Sequence, residues 1–582
     1  MPRASKKKKA AAAPPAEPTP PASAPVPAPV QGVDPRRASK LDVLIGACLG
    51  LAAFLGLFLT EKSVGVPRDE SFYFDAANAY AGWFKLLLAR PAQAFTDAAT
   101  SRYFEYNHEH PALMKELFGL SHWLFFENLH WVREIASYRL PVFVLAGLFA
   151  LCLYLFGAGL RGRGAGVFAV LAFFLCPRDW FHAHLACFDF PVCATWLFVV
   201  YAYWRAETSR RWVVLCGILF GLALATKHNA FFLPVVLAGH WIVARGWYVF
   251  RQRGFAGFVK AIPNSFWSMA ALGPVVFYLH WPYIWHHPVD RVGFWIAFHL
   301  HHVNYAWYYL GDLMREPPFP VFYAWVVTAL TVPIALIAAM ATGLLSTLWV
   351  AVRDAVATFR AKAEPTSAQS DTWLLLINCI APIAILMPPE VPRFGGSKHW
   401  MAAMPFLCIL AGVVVVRMAR LIAERFNDSR ALDPALAALF VLVLAPGAWG
   451  LVHIGGYGTS YYNELAGGQP GAAALGMQRQ FWSNNVTGVF GWLNENAPQR
   501  ARVFFHEVTG DSFRAYQANG MLRRDIQFSG LEQADIACYQ YHQEFRFWEY
   551  AIWTNMHTRW PAYGLYLDEV PNIECYQRDR AF

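Results

Sequence analysis

Segments of about 20 apolar residues recur along this 582-residue chain, and that recurrence limits its fold more than any other feature. In hydrocarbon every backbone N–H and C=O must find a partner within the segment, so such stretches become helices. They lie near 41–60, 138–158, 165–180, 188–204, 212–226, 229–248, 264–281, 320–350, 372–388, 399–417 and 434–454, which predicts about eleven spans. Composition agrees: 57% of residues are hydrophobic, 15% are charged and the mean hydropathy is +0.30, too apolar for a water-soluble chain of this length. The expected fold class is a polytopic α-helical membrane protein.

Orientation follows from the short loops that hold Lys and Arg. Arg161 with Arg163, Arg205 with Arg210 and Arg211, the Arg245 to Lys260 group, the Arg353 to Lys362 stretch and the Arg417 to Arg430 group all fall on one side, the cytoplasm. An odd number of spans starting inside puts the C-terminal segment outside, with the long loops after the first, seventh and ninth spans. The net charge of +9 therefore reports topology and contact with anionic membrane lipid, and gives no support for nucleic-acid binding.

Residues 1–40 are a basic cluster followed by an Ala/Pro-rich run, expected to be a disordered cytoplasmic tail. Residues 41–454 form the membrane part, with outer loops at 61–137, 178–189, 282–319 and 388–399. After the last span, residues 455–582 alternate strand-like stretches such as RVFFHEV and NIECYQR with helix-like ones such as FRFWEYAIWTNM, predicting a small outer α/β domain. Cys538 and Cys575, each in a CYQ context there, are either a disulfide pair or two buried thiols. The other eight cysteines lie in or beside apolar spans and serve packing.

Ionisable residues at a membrane are costly, so each is a candidate for function. Asp69 and Glu70, in VPRDESFYFDAANAY, follow the first span directly. Two adjacent carboxylates disfavour joint ionisation, which suits a proton acceptor or a cation site; the plainer alternative is a solvated loop. In YFEYNHEHPALMKELFGL, Glu109, His110 and Lys115 open an amphipathic helix that serves either as a phosphate site or as an interfacial helix start. Asp189 begins the fourth span as an N-cap or as a buried partner of the first-loop acids. Lys227 and His228 sit at an outer turn, and RFGGSKHW sets Arg393, Lys398 and His399 beside two glycines, as an anion-binding turn or as flanking charge. Six histidines, His280, His286, His287, His299, His301 and His302, crowd one outer loop. The spacing of His299 and His302 would share a helical face, but without thiolates and with few acids the loop reads as an interfacial aromatic segment, not a metal site.

Taken in order, the first span, Asp69-Glu70, EHPALMK, FDFPVCATWLF, GLALATKHNAFFLPV, RFGGSKHWMAAMPFL and YYNELAGGQPGAAALGMQRQFWSNN resemble the membrane GT-C glycosyltransferases of the protein O-mannosyltransferase and aminoarabinose-transferase type. The resemblance implies a polyprenyl-phosphate sugar donor and an inverting transfer to a protein, lipid or polysaccharide acceptor at the outer face of a bacterial inner membrane. It implies Asp69 as catalytic acid position with Glu70 its neighbour, Asp189 as the second-loop Asp, and Glu109, His110, Lys115, Lys227 and Arg393 around the donor phosphate. This chain departs from the family's HPP or KPP form in having Ala112 after Pro111. Asp69, Glu70 and Asp189 could together hold a divalent cation, whereas the resemblance implies metal independence. A transporter or flippase of a lipid or sugar phosphate, and an assembly factor with inert acids, are the rival readings; transporters place ionisable groups at the midplane, whereas here they gather at one surface.

Overall fold

The computed structural model describes residues 38–579, so most of the expected N-terminal tail lies outside the described residues. The first helix, Lys40–Thr60, opens on a capping box in which Ser39 and Asp42 satisfy each other's backbone donors. All eleven apolar segments contain helix. Among the described residues, six helices are long and apolar enough to cross a membrane: within Lys40–Ser63, Glu134–Arg161, His228–Leu279, Ile334–Ala361, Met401–Arg425 and Ser429–Ile454. Arg163–Phe174 and Pro177–His184 make a further crossing only as a pair bent by 72°. The count of about eleven is therefore not reproduced. Helices such as Arg210–Thr226, at 17 residues, fall short of that length, and Pro177 ends the apolar run before it can continue straight.

Small residues let the helices approach. Lys40–Thr60 packs along Glu134–Arg161 where a Cβ on Gly50 would lie 2.5 Å from the Gly147 carbonyl oxygen, and Arg210–Thr226 meets Asn264–Leu279 where a Cβ on Gly217 would lie 2.4 Å from the Ser268 carbonyl. In lipid, with little hydrophobic drive between helices, such close backbone packing is what holds them together.

The loop after the first span folds into helix Arg68–Ala89, which packs against Leu113–Ser121. Beyond the last span, Arg502–Phe505 lies in a five-stranded sheet of spatial order Gln527–Phe528, Arg502–Phe505, Ile536–Gln540, Val570–Gln577, Tyr563–Leu567. Its first three strands run parallel and the last two antiparallel. Cys538 and Cys575 face each other in register across two of these strands and are joined as a disulfide.

One buried ion pair ties the loop after the first span to the helical bundle. Arg139, near the start of Glu134–Arg161, donates Nε and Nη2 to the Glu70 carboxylate at 2.8 and 2.6 Å, and both side chains are fully buried. Its remaining N–H groups donate to the carbonyls of Glu61, Val64 and Gly65, so the guanidinium is satisfied on every side. Removing one partner leaves an unpaired buried charge. Arg139→Met is expected to lower stability by about 3–5 kcal/mol, and pairing it with Glu70→Leu should recover a large part of that loss. Thermal unfolding of the three variants in detergent checks this; a double variant as weak as the sum of the singles would contradict it.

Candidate functional site

Pro67 stands at the N-cap of helix Arg68–Ala89, where its missing N–H costs nothing, and the first turn carries Asp69 and Glu70 at the positive end of the helix dipole. Successive residues on a helix point about 100° apart, so the two neighbours part company. Glu70 turns inward to Arg139 and also accepts the Ala186 N–H at 2.7 Å, while the Asp69 side chain stays 38% exposed. Glu70 thus joins the start of this helix to the turn that leads into Asp189.

Facing Asp69 is Lys398, whose Nζ lies 4.0 Å from the Asp69 carboxylate and 3.6 Å above the Trp482 ring. Burial pushes the Lys398 ammonium below its usual range, against the pull of Asp189 and Asp69. Gly395 must lie close to it, since a Cβ there would approach the Lys398 stem to 2.4 Å. Asp189 accepts a hydrogen bond from Lys227 Nζ at 2.5 Å, with both groups buried. Asp69, Lys398, Asp189 and Lys227 therefore form one ionic patch at one end of the helical bundle.

The remaining expected residues have other surroundings. Lys115 donates to the backbone carbonyls of Asn107 and His110 and to the Asn107 side chain, so it holds the turn before Pro111. Glu109 accepts from Asn107 in that turn. The helix itself begins at Leu113, not at Glu109, because Pro111 breaks the run before it. Arg393 donates through Nη1 and Nη2 to the carbonyls of Pro320, Met387 and Pro388, while its Nε has no partner among the described residues. His110 is half-buried, packs on Phe188 and Tyr73, and its imidazole is pushed well below the usual range, first by desolvation and then by Lys115 and Lys227.

The histidine-rich loop disperses. Its helix, Pro288–Leu300, ends before His302, so His299 and His302 do not share a face: His299 stacks on His228 and His302 on Phe394. His280 pairs with Glu116 and His287 with Asp97.

Sequence pattern does not single out Arg139 or bring Lys398 to Asp69. The available signal was the cost of a charge: Arg139 sits inside an apolar run, and a charged group there needs a partner.

The structure is thus a bundle of apolar helices with an ionic patch at one end, beside a small sheet-bearing segment. Residues 120–267, about a quarter of the chain, match the family model described as dolichyl-phosphate-mannose-protein mannosyltransferase, and over that stretch the sequence is similar to that family. No curated protein matches the chain. Among solved structures it is similar to ArnT from Cupriavidus metallidurans bound to undecaprenyl phosphate, at 15% identity and TM-score 0.48 over 92% of this chain and 98% of that one. The apo state of that protein aligns at 13% identity and TM-score 0.48, covering 93% of this chain and 98% of that one. The Archaeoglobus fulgidus oligosaccharyltransferase, tethered with an acceptor peptide containing the NVT sequon, aligns at 12% identity and TM-score 0.42, covering 93% of this chain and 74% of that one.

Burial pushes Lys115 down to about 7 from an ordinary 10.5. Between those values the unfolded chain holds a proton that the native one has released, so stability should rise with pH from about 7 to about 10.5 and be lowest below that window. Lys115→Met should remove this gain. Thermal midpoints of both proteins across the window test it, and a wild-type advantage independent of pH would refute it.

Proposed function

We propose that this chain is an inverting glycosyltransferase that moves a sugar from a polyprenyl-phosphate donor to an acceptor at the outer face of the membrane, with Asp69 as general base. The observation that carries this reading is the division of labour between neighbours: Glu70 is locked against Arg139, while Asp69 remains partly exposed beside a cationic patch. The family matched over residues 120–267 is described by a lipid-phosphate sugar donor, which supports the same donor class here.

In this reaction the acceptor hydroxyl or amine attacks the anomeric carbon, the bond from that carbon to the phosphate oxygen breaks, and the lipid phosphate leaves with the bonding pair. The acceptor's proton passes to Asp69. A direct displacement needs this single base, unlike a retaining hydrolase with two closely spaced carboxyl groups. Lys398 and Lys227 carry the positive charge nearest Asp69 and Asp189, suited to the charge that grows on the leaving phosphate. Asp189 holds Lys227 in place, Lys115 with Glu109 and His110 shapes the neighbouring turn, and Arg393 orders the loops before the Gly395-Gly396 turn. The full reading also keeps about eleven membrane crossings, an outer C-terminal α/β domain and a bacterial inner-membrane location with the site on the periplasmic or extracellular side.

Transfer of radiolabelled sugar from a panel of polyprenyl-phosphate sugars, with and without EDTA, tests the proposal. Asp69→Asn should lower transfer by about 100-fold or more while leaving donor affinity within about threefold. Donor binding by wild type without transfer from any donor would sink the proposal in favour of a transporter.

A further inference from the structure

We propose that His110, His228 and His299 form a binding site for a single divalent cation of the zinc type. One ring nitrogen from each comes together such that the three lie within 4.8 Å of one another. The residues arrive from three distant places: the turn before Pro111, the outer end of the helix Arg210–Thr226, and the last turn of Pro288–Leu300. No local sequence pattern makes them converge, so neither an interfacial aromatic loop nor a chance run of histidines accounts for the cluster.

Two further observations point to a ligand. His110 Nδ1 and His228 Nδ1 are buried and have no hydrogen-bond partner among the described residues. A buried imidazole nitrogen without a partner costs free energy, and a metal ion is one species that satisfies several at once. His299 is oriented for the same task. Its Nε2 lies 3.0 Å from the Glu109 carbonyl oxygen, which can only accept, so Nε2 carries the hydrogen and Nδ1 keeps its lone pair. A backbone carbonyl on the far nitrogen is the usual support of a metal-bound histidine.

Donor chemistry selects the ion. Three neutral imidazoles suit zinc and its neighbours and do not suit calcium or magnesium, which take oxygen ligands. Ligand nitrogens about 2.0–2.1 Å from zinc in a tetrahedral site stand about 3.3 Å apart, so the rings would close by roughly 1.5 Å on binding. Three protein ligands leave the fourth position for water or another oxygen donor. Lys227, which neighbours His110 and His228, opposes a cation there, but its charge is balanced by Asp189. The cation site does not depend on sugar transfer. Only its electrostatic use, an added positive charge for a lipid phosphate oxygen beside Lys227, rests on the proposed function.

Full-length protein purified in detergent without a polyhistidine tag, stripped with chelator and re-equilibrated with zinc or cobalt, tests the inference by elemental analysis and by cobalt's visible absorption. Wild type should hold about one equivalent with tetrahedral-type cobalt bands. His228→Ala and His299→Ala should each weaken binding at least about tenfold, whereas His302→Ala, on the same loop outside the cluster, should bind as wild type. Thermal midpoints of the metal-free variants matching wild type would show that lost binding is not lost folding. Absence of stoichiometric metal in wild type, or equal binding by wild type, His228→Ala and His299→Ala, would overturn the site. Because binding is read without any sugar donor, its failure is distinct from a failure of transfer.

Discussion

The bidentate contact between Arg139 and Glu70 is the interaction on which the candidate site depends. A guanidinium and a carboxylate removed from water are stable only when every donor and acceptor is used, and here the loop carbonyls of Glu61, Val64 and Gly65 complete the set. That requirement fixes more than two side chains. It sets where the chain leaves the first span, and through the Ala186 N–H it sets the turn that presents Asp189. The distance between the two helices that supply Asp69 and Asp189 is thereby determined by a residue that neither helix contains.

This arrangement separates rigidity from reactivity within a dipeptide. Glu70 supplies the anchor, and its neighbour is free to face water and Lys398. A loop could not hold two adjacent carboxylates to such different environments, whereas a helix does so by its pitch alone. Lys398 in turn sits against an aromatic face, with the Asp69 carboxylate 4.0 Å away, beyond hydrogen-bond reach.

Much of the helical architecture was legible because apolar run length is a local signal. Strands in the outer segment were equally visible as alternating stretches, and Cys538 opposite Cys575 resolves the choice between a disulfide and two thiols. What was not legible lies in long-range pairing. Arg393 and Lys398 occupy one short motif, yet the first spends its Nη donors on backbone carbonyls and the second reaches Asp69, a choice set by where residues 320 and 387–388 pass. His299 and His302 fail as a helical pair because the helix ends at Leu300, and His299 instead meets a histidine 71 positions away in sequence, His228. Among the described residues, six helices are long and apolar enough to cross a membrane, and the run broken at Pro177 reaches that length only as a bent pair.

The Trp482 ring that covers Lys398 comes from beyond the last span, and Trp482 and Ser483 both adopt left-handed backbone angles, φ of 67° and 63°, unusual for residues with side chains. Its carbonyl accepts the Arg68 N–H, beside which Glu507 pairs with Arg68 and Tyr516 bonds to the backbone of Val66. The wall of the site is therefore shared property of two parts of the chain. Chimeras that exchange the C-terminal segment between relatives at residue 455 would inherit Asp69 and Lys398 from one parent and the ring that covers Lys398 from another.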